Sequence, residues 1–504
     1  MESCSYSSDD MDNNKKNVDV EAECVGTPQH PPEGDSRQNI LQNDTKPAIG
    51  TQVFGTLVMA LVQVGHGTLL AFSGITLPQF TDPQTKDLFL NQSQTAFFGS
   101  LGYLGEAVGF CVSGPLVVKL GRRVTLLVTL PITAASWLSL ALSPTVWLLL
   151  TSRTILGITG GIILTSTFLY IIEIAHKNIR GILSGILNLT RLMGLLMVSS
   201  LGVSKLDWRQ IGFVCCGVPA LSFFCLILLP NSPRWLVTQG RLSEAQKALV
   251  FFRGKHYDSE PELQDITQQI SNVDKKLNSS WQQMQLLFEP STARMFLLLI
   301  VLYLMVSVNG CHIIMAYLVP IFQAMDSTLD PYNSAIMFYV VRIFGSLVHV
   351  CVIDRLGRKP LIIVSYSLCS LCMVTYGAYF YMHKTGNVSD MGWIPLTATM
   401  VSIFFFGIGQ PALLILSGEL LPISCRSIGS SMLSFSLACG AFVSTYTYPM
   451  TVEALGEHGT FWLFSGASSV ITFVSAVALP ETRGRSLEEI TGNLINNWHQ
   501  TTKL

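Results

Sequence analysis

The chain has 504 residues, of which 49% are apolar and 12% are charged, with a mean hydropathy of +0.45 and a formal net charge of −1. Soluble domains carry about 25% charged residues, so this composition excludes an ordinary soluble protein and indicates a polytopic helical membrane protein. The near-neutral charge gives no sign of nucleic-acid binding.

Residues 1–50 are polar and contain no apolar segment of a secretory signal peptide, so we predict a disordered tail there. Twelve apolar stretches of about 20 residues follow, which is the length needed to cross a bilayer. The predicted spans are 52–74, 94–117, 124–143, 146–173, 181–202, 209–230, 294–322, 333–353, 360–381, 393–417, 427–449 and 460–480.

A long polar stretch, 231–293, separates the first six spans from the last six and contains two helix-like segments, Ser243–Phe252 and Glu260–Lys276. The predicted organisation therefore has five parts. They are a cytoplasmic N-terminal tail (1–50), a six-helix bundle (51–230), a cytoplasmic helical insert (231–293), a second six-helix bundle (294–480) and a cytoplasmic C-terminal tail (481–504).

Lysine and arginine in the short loops predict the orientation, because cytoplasmic loops carry the excess of both. They are concentrated in the loops after spans 2, 4, 8 and 10, which makes both termini and the insert cytoplasmic. Two N-x-S/T sequons, at Asn91 and Asn387, fall on the opposite side and are candidate glycosylation sites.

The two halves of the chain repeat the same motifs. The turn Lys119–Arg123 after span 2 is similar to Asp354–Lys359 after span 8. A glutamate precedes an arginine by seven residues after span 4 and again after span 10. Parallel repeats of six spans are typical of a transporter whose two halves rock around a central site.

These motifs resemble the sugar porter family of the major facilitator superfamily. The matching residues are Gly121-Arg122-Arg123, Arg153 with Gly157, Glu173 with Arg180, Pro230 to Leu236, Asp354 to Lys359, Glu419 with Arg426, and Pro480 to Glu489. Within the family, the segment from Phe72 to Pro78 is most similar to the insect facilitated trehalose transporters.

The resemblance implies an all-α membrane protein with twelve transmembrane helices in two pseudo-symmetric six-helix bundles. It further implies a plasma-membrane glycoprotein that works as a monomer without a cofactor, and that moves a hexose or a trehalose-like sugar by facilitated, alternating access. The sequence contains no nucleophile–base motif, metal-ligand spacing or phosphate-binding loop, so we predict neither an enzyme nor a metal site.

Charged residues at the cytoplasmic helix ends are predicted to form a gate that pairs across the two halves and keeps the cytoplasmic side shut when the site faces outward. The alternative is that these charges only set the topology. One departure is Val118, which stands where the family usually has an acidic residue. The predicted gate residues are Arg122, Arg123, Arg153, Glu173, Arg180, Asp354, Arg358, Glu419 and Arg426.

The resemblance also implies a substrate site at mid-membrane, and this chain departs from the family there. The seventh span has Val306 to His312 in place of Gln-Gln-x-Ser-Gly-x-Asn, and Leu414 stands at the usual tryptophan. Asn188 replaces a glutamine, and Arg342 falls where the family often has an asparagine. The predicted substrate-binding residues are Asn188, Arg191, His312, Arg342 and Pro411.

Three ionisable residues, Glu106, Arg191 and Arg342, lie well inside predicted spans. An ionisable group there costs at least about 2.5–3.5 kcal/mol unless it is paired or hydrated. Three explanations of these charges stay open. Glu106 is a counter-ion for one arginine, the centre is hydrated, or the two arginines bind an anion. Two alternatives to a sugar carrier therefore stay open, an organic-anion carrier of the same fold and a non-transporting sugar-sensing receptor.

Overall fold

The computed structural model describes residues 48–481, apart from 85–86, 177–178, 205, 256, 275–279, 326–328, 387–390 and 423–424. Almost all of the predicted tails, 1–50 and 481–504, therefore lie outside the described residues. The regular structure within the described ranges is entirely helical.

The first half of the chain forms six long helices that match the first six predicted spans. They are α1 (Gly50–Thr81), α2 (Gln92–Leu120), α3 (Arg122–Ala141), α4 (Val146–Ile174), α5 (Arg180–Val203) and α6 (Trp208–Ile227). The insert then forms α7 (Pro233–Thr238), α8 (Leu242–Arg253), α9 (Glu260–Asp274) and α10 (Ser280–Leu287). Of these four helices, α8 and α9 coincide with the two helix-like segments expected there.

The second half contains seven helical elements. They are α11 (Pro290–Val308), α12 (Cys311–Ala316), α13 (Leu318–Ala324), α14 (Pro331–Leu356), α15 (Arg358–Lys384), α16 (Trp393–Leu420) and α17 (Arg426–Ala478). Within the described ranges, ten helices are long and apolar enough to cross a membrane, and Thr292–Val308 is a shorter apolar helix.

Two spans are contained in α17, whose 53 residues would reach about 80 Å as one straight helix. A bilayer core is only about 30 Å thick, and the helix is interrupted at Gly456, where φ is 71°. The part before Gly456 packs on α11, since Ser307 Oγ donates to Leu437 O at 2.8 Å. The part after it packs on α15, where Ser370 and Ser465 are hydrogen-bonded. These are the eleventh and twelfth spans.

The seventh span differs from the prediction, because α11, α12 and α13 replace the single helix expected at 294–322. The first break is at Gly310, whose φ of 90° lies in the left-handed region that favours glycine. The side chain of Asn309 accepts a hydrogen bond from the Cys311 amide at 3.1 Å, which competes with the helical backbone pattern. The second break is at Tyr317.

The two halves pack their helices in the same pairs. The first span contacts the fifth, the second contacts the fourth and the third contacts the sixth. In the second half, the seventh span contacts the eleventh, the eighth contacts the tenth and the ninth contacts the twelfth. This correspondence confirms two pseudo-symmetric six-helix bundles.

We call the end of the bundles that carries the Gly121 and Gly357 turns the basic end. At the opposite end, one apolar core includes Phe72 and Phe98 of the first half together with Leu318 and Phe464 of the second. At the basic end, the first half has a separate core of its own, which includes Val58, Leu126, Tyr170, Leu229 and Phe252. Within the described residues, the first-half members of the shared core lie away from the basic end, and a small cluster of Ala107, Phe110 and Ala438 joins the halves near mid-height.

The loop between α1 and α2 is joined to two other spans by Arg209 of α6. Its guanidinium forms an ion pair with Asp87 at 2.8 Å and donates to the carbonyls of Ala141 and Ser143 at 2.8 and 2.9 Å. The hydrogen bond and positive charge of Arg209 hold the pKa of Asp87 below its usual value of 3.8. Because the pKa of Asp87 is lowered in the folded protein, the pair stabilises the fold at pH values above the pKa of Asp87 in the unfolded chain. That stabilisation is lost as the pH falls through the folded pKa.

We expect Asp87→Asn to lower the free energy of unfolding at pH 7 by about 0.2–1 kcal/mol, because the pair is partly exposed. The difference from wild type should disappear at a pH well below 3.8. Thermal unfolding of detergent-purified protein across this pH range measures both. Asp82→Asn is the control, since asparagine can keep the bond that Asp82 accepts from the Gln84 amide at 2.9 Å. Equal pH dependence in both variants would contradict the assignment.

The insert contacts both halves. Arg253 of α8 is 3% exposed, donates to Ile174 O at 2.7 Å and forms an ion pair with Glu262 of α9 at 2.7 Å. These bonds attach α8 and α9 to the end of α4 in the first half. Leu287 of α10 belongs instead to the core shared with the second half and lies close to Gly429.

Removing the Arg253 side chain should destabilise this attachment. We expect Arg253→Ala to lower the free energy of unfolding by about 1–3 kcal/mol, because the buried carbonyl of Ile174 and the carboxylate of Glu262 both lose a charged donor. Arg241→Ala is the matched control, since its ion pair with Glu244 in the same insert is nearly half exposed and should contribute under about 0.5 kcal/mol. Equal losses of thermal stability in the two variants would show that Arg253 does not anchor the insert.

Candidate functional site

Four charged side chains lie near the middle of the bundles. Arg153, Arg342 and Glu106 are 2%, 4% and 8% exposed, and Arg191 is half-buried. Arg191 is eleven residues from the start of α5, about 16 Å along the helix axis. This is about half the thickness of a bilayer core.

Glu106 of α2 contacts His66 of α1, with 3.2 Å between its Oε1 and the His66 Nε2. His66 is fully buried, and its Nδ1 has no hydrogen-bond partner. In the described residues Glu106 forms no direct ion pair with an arginine, and its role as a counter-ion, one of the three alternatives, stays a prediction. The carboxylate still attracts Arg153 and Arg191 at longer range.

Arg342 of α14 is surrounded by neutral partners. Its guanidinium donates to Gln410 Oε1 at 3.2 Å, contacts the sulfur of Met315 and lies over the ring of Phe406, 5.3 Å from the centroid. Gln410 directly precedes Pro411 inside α16, so the predicted Pro411 lies beside this group.

Arg191 of α5 donates to the side-chain oxygen of Asn188 at 2.8 Å, which brings two predicted site residues together. Its Nε is buried and has no hydrogen-bond partner. The positive charge of Arg342 acts on Arg191, and the charges of both arginines act on His312. The predicted residues from the two halves therefore lie within electrostatic reach of one another.

His312 of α12 lies between two aromatic rings, with centroids 6.0 Å from Tyr103 and 5.6 Å from Phe406. The Tyr103 hydroxyl donates to the His312 carbonyl at 3.4 Å and so joins α2 to the broken seventh span. The charges of Glu106, Arg153 and Arg342 all act on Tyr103. Tyr103 is thus a central residue that the sequence analysis missed, since a tyrosine in an apolar span carries no distinguishing pattern.

In the described residues, two ion pairs lie at the basic end of the membrane helices, and each joins residues of the same half. Arg122 contacts Glu173 at 2.6 Å, and Arg358 contacts Glu419 at 3.0 Å. The Ser232 hydroxyl also donates to the Glu173 carboxylate. These pairs occupy equivalent positions in the two bundles but do not bridge them, unlike the arrangement expected for a closed gate.

The other predicted gate residues contribute to helix ends in different ways. Arg123 donates to Ile227 O at 2.9 Å, and Arg426 donates to Leu421 O at 3.3 Å. Arg180 is exposed at the start of α5. Asp354 lies in the last turn of α14, and the position of its side chain is outside what the structure describes.

Arg153 lies far from the other predicted gate residues in this structure, and its role in a gate stays a prediction. It lies twenty residues before Glu173 on α4, which is about 30 Å along the axis. Its guanidinium donates to Leu69 O at 2.7 Å and to Ser73 Oγ at 3.2 Å, both in α1. The arginine therefore fastens α4 to α1 beside the central charged residues.

The two candidate glycosylation sites remain predictions. Asn91 is exposed and is the N-cap of α2, where its side-chain oxygen accepts from the Gln94 amide at 2.8 Å. Asn387 falls outside the described residues.

The family model for "Sugar (and other) transporter" matches residues 51–494. The chain belongs to this family. It is 30% identical over 442 residues to "Facilitated trehalose transporter Tret1" of Apis mellifera ligustica, with 87% of each chain covered. It is also 30% identical over 462 residues to the protein of the same name from Anopheles gambiae. That match covers 91% of this chain but 58% of the mosquito protein.

Among solved structures, the chain resembles the partially occluded inward-open xylose transporter XylE from E. coli. The TM-score is 0.72 at 19% identity, with 87% of this chain and 100% of that chain covered. This likeness confirms the fold, a multi-pass membrane protein of the major facilitator type. The family and the relatives are transporters, which confirms that this member is a transporter rather than an enzyme.

Proposed function

We propose that this protein is a facilitative carrier that moves a hexose or a trehalose-like sugar across the plasma membrane by alternating access. The observation that carries the proposal is a group of buried polar side chains at mid-height, contributed by both bundles, in a family of transporters whose relatives are named for trehalose. Both termini and the insert face the cytoplasm in this proposal, and the monomer is the working unit.

The chemistry of the centre supports a polyhydroxylated substrate. Asn188 and Gln410 offer amide groups, and Tyr103 and His312 add a hydroxyl and an imidazole. Amides and hydroxyls both donate and accept hydrogen bonds, as sugar hydroxyls require.

The packing of the two halves supports alternating access. In the described residues they share an apolar core away from the basic end, while the ion pairs Arg122–Glu173 and Arg358–Glu419 stay within their own halves. Such a state is open at the basic end, which is the proposed cytoplasmic side. In the opposite state, the basic end is closed and the shared apolar core is separated. The charged groups at the basic end can then exchange partners across the halves.

Counterflow in proteoliposomes tests the proposal. Vesicles loaded with unlabelled trehalose or D-glucose should accumulate the labelled sugar transiently, at the same rate with or without a pH gradient. Binding of sugar without counterflow would instead support a sugar-sensing receptor, and dependence on the gradient would replace facilitation with proton coupling.

A further inference from the structure

The centre of the protein has more positive than negative side chains. Arg153, Arg191 and Arg342 bring three guanidinium groups, and Glu106 is the acidic residue that acts on Arg153 and Arg191 within the described chain. Glu106 also has His66 as its direct partner. Buried charges are normally paired, because desolvation of an unpaired ion is unfavourable.

Arg153 has a structural explanation, since it bonds to two groups of α1. Arg342 also contacts two other helices, α12 and α16, whereas the bond of Arg191 to Asn188 lies within α5. The contacts of Arg342 are an amide oxygen, a thioether and an aromatic ring, and Arg191 bonds to an amide oxygen and leaves its Nε unpartnered. In the part of the chain that the structure describes, neither guanidinium directly contacts a carboxylate.

These two arginines also come from opposite bundles, on α5 and α14, which pack against each other. Like charges that face each other from opposite halves repel, so an anion between these guanidiniums would stabilise the contact of α5 with α14. An arginine fork matches a carboxylate with two parallel hydrogen bonds, and such charged bonds are about twice as strong as neutral ones.

We infer that Arg191 and Arg342 together bind the carboxylate of a sugar acid, so that the carrier takes an anionic sugar in preference to a neutral one. This inference rests on the proposed carrier function and adds the charge of the substrate. The amide and hydroxyl groups nearby bind the sugar hydroxyls, and the carboxylate bridges the two bundles. Transport then moves one negative charge with each substrate.

A panel of three similar sugars tests the inference on the unmodified chain in proteoliposomes. D-Glucuronate, D-glucose and D-glucosamine share a ring and differ in charge, and lactate serves as a carboxylate without a sugar ring. We expect glucuronate uptake to exceed glucose uptake by at least about tenfold, which corresponds to about 1.4 kcal/mol. Glucosamine and lactate should compete poorly. A potassium-diffusion potential should change the rate of glucuronate uptake and leave that of glucose unchanged.

Variants then test which residues recognise the negative charge of the substrate. Arg342→Asn and Arg191→Gln should each lower the ratio of glucuronate uptake to glucose uptake by about 10–100-fold, as expected for loss of a charged hydrogen bond. Arg342→Lys should retain more glucuronate uptake than Arg342→Asn, because the charge remains. Arg241→Gln, an equal change of charge in the exposed pair of the insert, is the control and should behave as wild type.

The outcomes separate the sugar-acid inference from the proposed carrier function. If glucose is carried and glucuronate neither competes nor enters, the inference is wrong and the sugar carrier stands. Preference for lactate over glucuronate would overturn the sugar-acid assignment in favour of a small carboxylate. If no sugar is carried or bound, the proposed function itself fails. The panel on the wild-type chain decides the inference even if a variant does not fold.

Discussion

Gly105→Ala should abolish correctly folded protein, whereas Gly114→Ala on the same helix should be tolerated. A Cβ at Gly105 would lie 2.3 Å from Thr154 O and 2.9 Å from Gly157 Cα, so α2 and α4 would have to move apart. Small residues allow this kind of close helix packing in membranes. We expect the free energy of unfolding to fall by at least about 3 kcal/mol, the upper end of the range for an overpacked core.

Fluorescence-detected size-exclusion chromatography and thermal unfolding in detergent measure this effect. Gly114 is the matched control, since a Cβ there would meet no atom within 4 Å. Alanine at that position should be neutral, or stabilising by up to about 1 kcal/mol. Gly157→Ala, on the other side of the contact, should reproduce the Gly105 result. Equal behaviour of Gly105→Ala and Gly114→Ala would show that the close approach of α2 and α4 is wrong.

Gly310→Ala should lower the transport rate by about tenfold or more. The left-handed backbone of Gly310, with φ of 90°, costs an L-residue roughly 1–2 kcal/mol. The new Cβ would also lie 2.6 Å from the ring of Phe464. Because Gly310 sets the direction of α12, its distortion moves His312 away from Tyr103 and Phe406. A rise in barrier of about 1.4 kcal/mol already gives a tenfold decrease in rate.

Initial rates of sugar uptake in proteoliposomes, normalised to folded protein, measure the effect of Gly310→Ala. Gly466→Ala is the control, because it lies two residues from Phe464 and a Cβ there meets no atom within 4 Å. An unchanged rate in Gly310→Ala would mean that the break in the seventh span has no role in transport.

Much of the fold follows from the sequence because long apolar stretches must cross the bilayer as helices. The fourth and tenth spans, expected at 146–173 and 393–417, were observed at Val146–Ile174 and Trp393–Leu420. The broken seventh span was missed even though Asn309-Gly310 is a turn-forming pair. A hydropathy pattern averages over about 20 residues and does not register a single residue in a left-handed conformation.

The candidate site was predicted less completely. Counting residues along a helix places Arg191 and Arg342 at the correct depth, but depth does not identify partners. The contact of His66 with Glu106, and the position of Tyr103 among the charged groups, depend on how α1 and α2 rotate against their neighbours. The gate residues were grouped by sequence repeat, which cannot show whether their pairs lie within or between the bundles in a given state.

Different forces close the two ends of the molecule in the proposed cycle. Charged groups at the basic end, such as Arg122 and Glu173, pair within one half here and join the halves only after exchanging partners. Exposed charges of this kind are screened by salt over a Debye length of about 8 Å at physiological ionic strength, whereas the apolar core at the opposite end is not. Rising ionic strength therefore weakens an electrostatic closure of the basic end and leaves the opposite closure intact. The balance between the two states then depends on the electrolyte that bathes the basic end.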